Sequence, residues 1–150
     1  MANAVTKQTI INGIYTNFYD IVSTIDPANI FAERIFPSMP DIELNALASY
    51  PIILLESPST DLVQFDMGRN LTEGTINFYV FTTSAKLRDQ LMDKIVYTIE
   101  INKGVLATKN LHQVNIDKIT TDEIARGKIK VHFCNIPIKF KFYSDKTFAF

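Results

Sequence analysis

The sequence predicts an α+β domain: a mixed or antiparallel sheet of about four to five strands with two amphipathic helices packed on one face. Three observations carry this. Two stretches place apolar residues every three or four positions, as helices do. At least three others are short apolar or alternating runs, as strands are. The 150 residues, 47% apolar and 21% charged with 5 Gly and 6 Pro, suit one globular domain over 1–150 and exclude collagen-like or disordered classes.

In the first segment Val5, Ile10, Ile11, Ile14, Phe18, Ile21, Val22 and Ile25 form one stripe, with Asn3, Lys7, Asn12, Asn17 and Asp20 between them. That spacing predicts a helix over Ala4–Thr24. Asp26-Pro27 ends it, because the residue before a proline is pushed out of the helical region. Ile35 and Phe36 close a short strand expected over Phe31–Phe36, and Pro37 and Pro40 then punctuate the chain. Tyr50-Pro51-Ile52-Ile53-Leu54-Leu55-Glu56 is a proline-led apolar run; apolar at successive positions, it should be covered on both faces.

Ser57–Gly74 mixes Pro58, Gly68 and Gly74 with Ser, Thr, Asp and Asn and reads as a long connection. A hairpin is the alternative, since Leu62, Val63 and Phe65 precede Asp66-Met67-Gly68. Thr75–Thr82 alternates Ile76, Phe78 and Val80 against Asn77, Tyr79 and Phe81, a strand pattern. Thr83 or Ser84 then offers a hydroxyl cap, and Leu87, Leu91, Ile95 and Ile99 recur every four residues. They predict a second helix over Ser84–Asn102, closed by Lys103-Gly104 with the glycine in a left-handed cap.

Leu111–Ile119 is a further strand, and Asp122-Glu123 with Arg126-Gly127 mark a turn. In Lys128–Tyr143 the apolar residues Ile129, Val131 and Phe133 are odd-numbered, whereas Ile136, Ile138, Phe140 and Phe142 are even-numbered. A β-bulge at Cys134-Asn135, beside Pro137, would keep this a single bent strand.

Fifteen basic and sixteen acidic residues give a net charge of -1 and a pI near 6.1. The molecule as a whole carries no electrostatic footprint for nucleic acid or anionic membrane. No run approaches the length of a membrane span. Met1–Gln8 lacks the basic start and apolar run of a signal peptide, and Cys134 is the single cysteine, so an intracellular site of synthesis is expected. The charge is polarised along the chain, net -6 over residues 1–75 and +5 over residues 76–150. The plain reading is that the halves neutralise each other within one domain.

No nucleophile elbow, phosphate loop or H-E-x-x-H motif occurs, and no catalytic residue, metal ligand or cofactor is assigned. His132 and Cys134, with His112 on a neighbouring strand, are the one combination a small metal-dependent enzyme would use. Their ordinary reading is a polar strand face and a small buried thiol. Asp89 and Asp93 lie one helical turn apart, but Lys86, Arg88 and Lys94 among them mark a solvated face. Lys128–Phe133 lacks the glycines of an RNA-recognition strand.

The order of elements, with Tyr50-Pro51-Ile52-Ile53 and the stretch Thr82–Leu91, resembles the tail-terminator (tail-completion, or tail-to-head joining) proteins of long-tailed bacteriophages. The resemblance spans Ala4–Tyr143. It implies a virion protein without enzymatic activity that assembles as a homohexameric ring at the head-proximal end of the tail. Such a ring ends tail-tube polymerisation, with the tail-tube protein and a head-connector or neck protein as partners. DNA passes through its lumen without sequence-specific binding, and no membrane is involved. An intracellular binding module unrelated to phage is the remaining alternative.

A closed ring joins unlike surfaces of successive subunits, so charge asymmetry can set its register. The expected interface pairs Asp61, Leu62, Val63, Phe65, Asp66, Met67 and Leu71 of the 57–74 segment with Lys128, Lys130, Lys139 and Lys141 of the last strand. Phe148 and Phe150 are either partner-docking or core residues.

Overall fold

The computed structural model describes residues 3–23, 35–38, 50–64 and 69–145. Along them run α1 (Asn3–Ser23), β1 (Ile35–Phe36), β2 (Ile52–Leu55), β3 (Ser59–Gln64), β4 (Arg69–Thr82), α2 (Ala85–Ile101), α3 (Lys103–Thr108), β5 (Leu111–Ile116), β6 (Thr120–Arg126) and β7 (Ile129–Asp145). The fold is α+β, and its sheet of seven strands is larger than expected.

Two long strands make the centre of the sheet. β4 and β7 pair antiparallel without a break from Arg69↔Asp145 to Thr82↔His132. Each carries on its other side a strand in two pieces. β2 pairs with residues 78–81 of β4 and β3 with residues 70–75. Between these pieces the register slips by one residue, and the Glu56 N–H donates to the Asn77 carbonyl at 3.3 Å. Likewise β5 pairs with one end of β7 and β6 with the other, and the Asp117 N–H donates to the Pro137 carbonyl at 2.8 Å between them. β1 joins β2 in parallel, which makes the sheet mixed. Seven strands thus act as five ribbons, which is why a count from the sequence falls short.

One face of the sheet is covered by the helices. Ile14, Phe18 and Val22 of α1, Leu91, Ile95 and Ile99 of α2, and Leu106 of α3 are buried in one cluster with Ile76, Phe78 and Val80 of β4 and Cys134, Ile136, Ile138, Phe140 and Phe142 of β7. The spacing of four along α1 and α2 places each triplet on one side of its helix. Phe18 packs on Phe140 with ring centroids 6.0 Å apart. All four residues of β2 are buried, as a strand apolar at every position requires.

Several expectations need correction. The segment 57–74 is no long connection: β3 and the first half of β4 form a hairpin, with residues 65–68 between them. Gly74 makes the pairing possible, because any β-carbon there would run into the Ser59 carbonyl oxygen. The second helix does not end on a glycine cap. Asn102 closes α2, donating its side-chain amide to the Thr98 carbonyl at 2.8 Å, and Gly104 lies inside the short helix α3. Asp122-Glu123 is no turn but part of β6, and Gly127, at φ 63°, opens the tight β6–β7 turn.

β7 has no bulge at Cys134-Asn135, since its register with β4 is continuous there. What changes is the covered face. Even-numbered residues from Cys134 onward meet the helices, whereas Val131 is buried beside Ile124 and Phe133 stacks on Phe81, at 5.4 Å, on the opposite face. The irregularity sits in β5 instead, where the register shifts between His112 and Asn115 and Gln113 adopts φ 51°. There the Asn115 side-chain amide donates to the Gln113 carbonyl at 3.3 Å. In β6 the Asp122 carboxylate accepts from the Glu123 N–H at 2.8 Å. The expected helix end at Asp26-Pro27 and the first part of the Phe31–Phe36 strand lie outside the described residues.

Candidate functional site

The face of the sheet opposite the described helices holds a concave feature. Strand alternation sends Asp61 of β3, Glu73 and Thr75 of β4, and Lys139 and Lys141 of β7 to this face. They line a shallow groove of about 370 Å³ that Gln113 and Asn115 of β5 close on the far side. Its charges are ordered by register: Asp61 lies opposite Glu73, and Glu73 opposite Lys141. Lys141 approaches Glu73 at 3.7 Å, and Lys139 contacts Asp117 at 3.2 Å. The bond from Lys139 holds the Asp117 carboxyl below the usual carboxylate range. Exposed pairs of this kind are screened by solvent, so they orient side chains more than they hold the fold.

The sequence-predicted interface residues separate into distinct places. Asp61, Lys139 and Lys141 meet in the groove. Lys130 lies far along β7, roughly 30 Å away at ~3.3 Å per residue, where it contacts Glu123 at 3.3 Å. Lys128 is exposed in the β6–β7 turn rather than on the last strand. The four lysines therefore do not form one strip. Leu71 is buried. Leu62 and Val63 belong to β3, with side chains outside the described residues, as are Phe65, Asp66, Met67, Phe148 and Phe150 altogether. Among the described residues, Glu73–Lys141 is the one ion pair that joins the acidic and basic halves of the chain.

His112, His132 and Cys134 do not come together. His112 pairs with Lys141 and packs edge-on against Tyr143 at 5.2 Å. His132 stands near the other end of β7, its Nδ1 3.4 Å from Glu123. Cys134 is fully buried, and desolvation pushes its thiol up to about 11. Among the described residues no three His, Cys, Asp or Glu side chains converge as metal ligands. Asp89 contacts Arg88 at 3.0 Å on an exposed helix surface, as the solvated-face reading has it.

Sequence reasoning missed a second surface. Tyr97 and Ile101 of α2 and Val105 of α3 are the large apolar side chains most open to solvent among the described residues, at 66%, 60% and 48% exposure. No signal in the sequence marks it, because Val105 falls beyond the expected helix end at Lys103-Gly104 and belongs to the separate short helix α3.

No protein-family model matches the chain, nor does any curated protein sequence. Among solved structures, the chain shares its fold with a chain of the virion of a native gene transfer agent (GTA) particle. The TM-score is 0.51 at 8% identity, over 84% of this chain and 94% of that one. At that identity the likeness is one of fold. No helix among the described residues is long and apolar enough to cross a membrane.

Proposed function

We propose that this chain is a structural, non-enzymatic protein of a phage-like virion. In this reading it forms a homohexameric ring at the head-proximal end of the tail, ends tail-tube polymerisation and joins the tail to a head-connector or neck protein. The observation that carries the reading is the fold shared with a chain of a GTA virion over most of both lengths. The resemblance in element order to tail-terminator proteins supports the finer assignment. A small protein with a polar, ion-paired groove and long sheet edges suits assembly into a larger body, with DNA passing through the ring without sequence-specific contacts.

The 57–74 segment, which holds the β3–β4 hairpin, is the part of the chain we assign to the ring contact, with its apolar residues Phe65 and Met67 as the proposed anchors. Each large apolar side chain fully covered there would contribute roughly 1.5–3 kcal/mol. Removing all of 57–74 would destroy half of the β4 pairing, so point changes make the cleaner test. Purified chain should give rings in negative-stain microscopy and a multimeric mass by light scattering. The double variant Phe65→Ser/Met67→Ser should keep the wild-type circular dichroism and lose the rings. A monomer in the wild type, with and without a tail-tube protein, overturns the ring; rings unchanged in the double variant overturn the hairpin contact.

A further inference from the structure

Several lysines of β7 are answered within the chain: Lys139 contacts Asp117, Lys141 contacts Glu73, and Lys130 contacts Glu123. Two places of opposite sign are not answered in this way. On the β3 side of the groove, Asp61 stands directly opposite Glu73 on the same face, where like charges repel. Lys141, at 3.7 Å, is beyond hydrogen-bond reach of Glu73, and Asp61 has no ion-pair partner among the described residues. This end of the groove therefore stays negative. At the far end of the sheet Lys128 sits exposed in the β6–β7 turn, also without an ion-pair partner among the described residues. Arg126 adds a second positive charge just before Gly127.

These two places cannot meet inside one chain. β3 flanks β4 near Leu71, whereas the β6–β7 hairpin lies on the other side of the sheet and at its other end. Measured along β7 they are roughly 40 Å apart at ~3.3 Å per residue. The hairpin also reaches outward, since Ile124↔Val131, Ala125↔Lys130 and Arg126↔Ile129 pair beyond Thr82↔His132, where β4 stops. A two-residue turn opened by Gly127, at φ 63°, is the tightest hairpin connection, so Lys128 forms a narrow tip.

We infer that the Lys128 tip of one copy enters the groove of the next and places its ammonium between Asp61 and Glu73. This rests on the ring reading, in which 57–74 carries the contact, and names the surface that the segment meets on the neighbour. The occupant is a second copy because the two surfaces are complementary in charge and belong to opposite edges of the same sheet. Joined copy to copy they make a head-to-tail contact, the kind that can close into a ring. Lys128 relieves the repulsion between Asp61 and Glu73, while Lys139 and Lys141 keep the β7 side of the groove positive and hold the tip at the β3 side. Thr75, Gln113 and Asn115 offer it neutral hydrogen-bonding groups. The charges set the register of the contact, and the apolar anchors of 57–74 supply most of its affinity.

Charge swaps in the full chain, read by sedimentation velocity over a concentration series at low salt, test this. Lys128→Glu and Asp61→Lys lie at exposed positions and should keep the wild-type circular dichroism spectrum. Each alone should weaken association about tenfold, because like charges then face each other across the contact. An equimolar mixture of the two variants should recover the wild-type association to within about threefold, since each tip then finds a groove of opposite sign on the other chain. Lys94→Glu, on the exposed surface of α2, should change it by less than about twofold. No association in the wild type overturns both the ring and this contact. Rings that survive Lys128→Glu unchanged, or a mixture no better than its components, overturn this contact and leave the ring standing. Open head-to-tail chains that weaken in each variant and recover on mixing sustain the contact while sinking the closed ring.

Discussion

Gly74 has little freedom to be anything else. β4 passes so close to Ser59 that a methyl group would meet a backbone oxygen, which cannot turn aside as a side chain can, with Phe140 and Thr60 also near. Gly74→Ala should therefore destabilise the fold by about 1–3 kcal/mol, read from the midpoint of a denaturant titration. Cys134 makes a different kind of prediction. Burial among Val80 and Ile136 favours the neutral thiol and raises its pKa from 9.0 to about 11. The folded state then holds the proton where the unfolded chain has lost it, so this contribution is complete below pH 9 and disappears between 9 and 11. Tyr15 and Tyr79, both raised first by burial, slope the same way. The difference in slope between wild type and Cys134→Ala over that interval isolates the thiol, and equal slopes would contradict its burial.

At the scale of elements, Ser84 illustrates what a sequence can disclose. It precedes the apolar stripe of α2, and its hydroxyl accepts from the Leu87 N–H at 3.3 Å. Ser84→Ala should cost about 0.5–2 kcal/mol in thermal or denaturant unfolding, a loss that Ser84→Asp should largely avoid. Both long helices and β2 were legible for the same reason: each buries a continuous stripe or run against the core. β6 was not, because an edge strand with mostly exposed side chains has no alternation to display, and Thr120–Arg126 carries little apolar beyond Ile124. The phase change in β7 was visible yet misread. An apolar pattern reports which face is covered, and the covered face differs along β7 while its pairing with β4 runs on.

For the molecule as a whole, the polarity of charge along the chain was plain in the sequence, but its use depended on register. Asp61 and Lys141 look like partners across two chains until β3, β4 and β7 set Asp61 opposite Glu73, and Glu73 opposite Lys141, of the same chain. Lys130 and Lys139, read together as one basic strand, belong to opposite faces and separate ends. The groove itself could not be foreseen, because it needs Gln113 and Asn115 from the irregular part of β5.

That irregular strand has one more consequence, and it concerns the protein before it finds any partner. A free sheet edge is a template on which another chain can grow, and a sheet with apolar residues at many positions is an invitation to fibrils. Along β5 and β6 the template is spoiled from within. Gln113 bends away, the Asn115 amide occupies a backbone carbonyl, and the Asp122 carboxylate occupies a backbone N–H. An incoming strand finds these groups already engaged, so this side of the molecule resists indiscriminate growth.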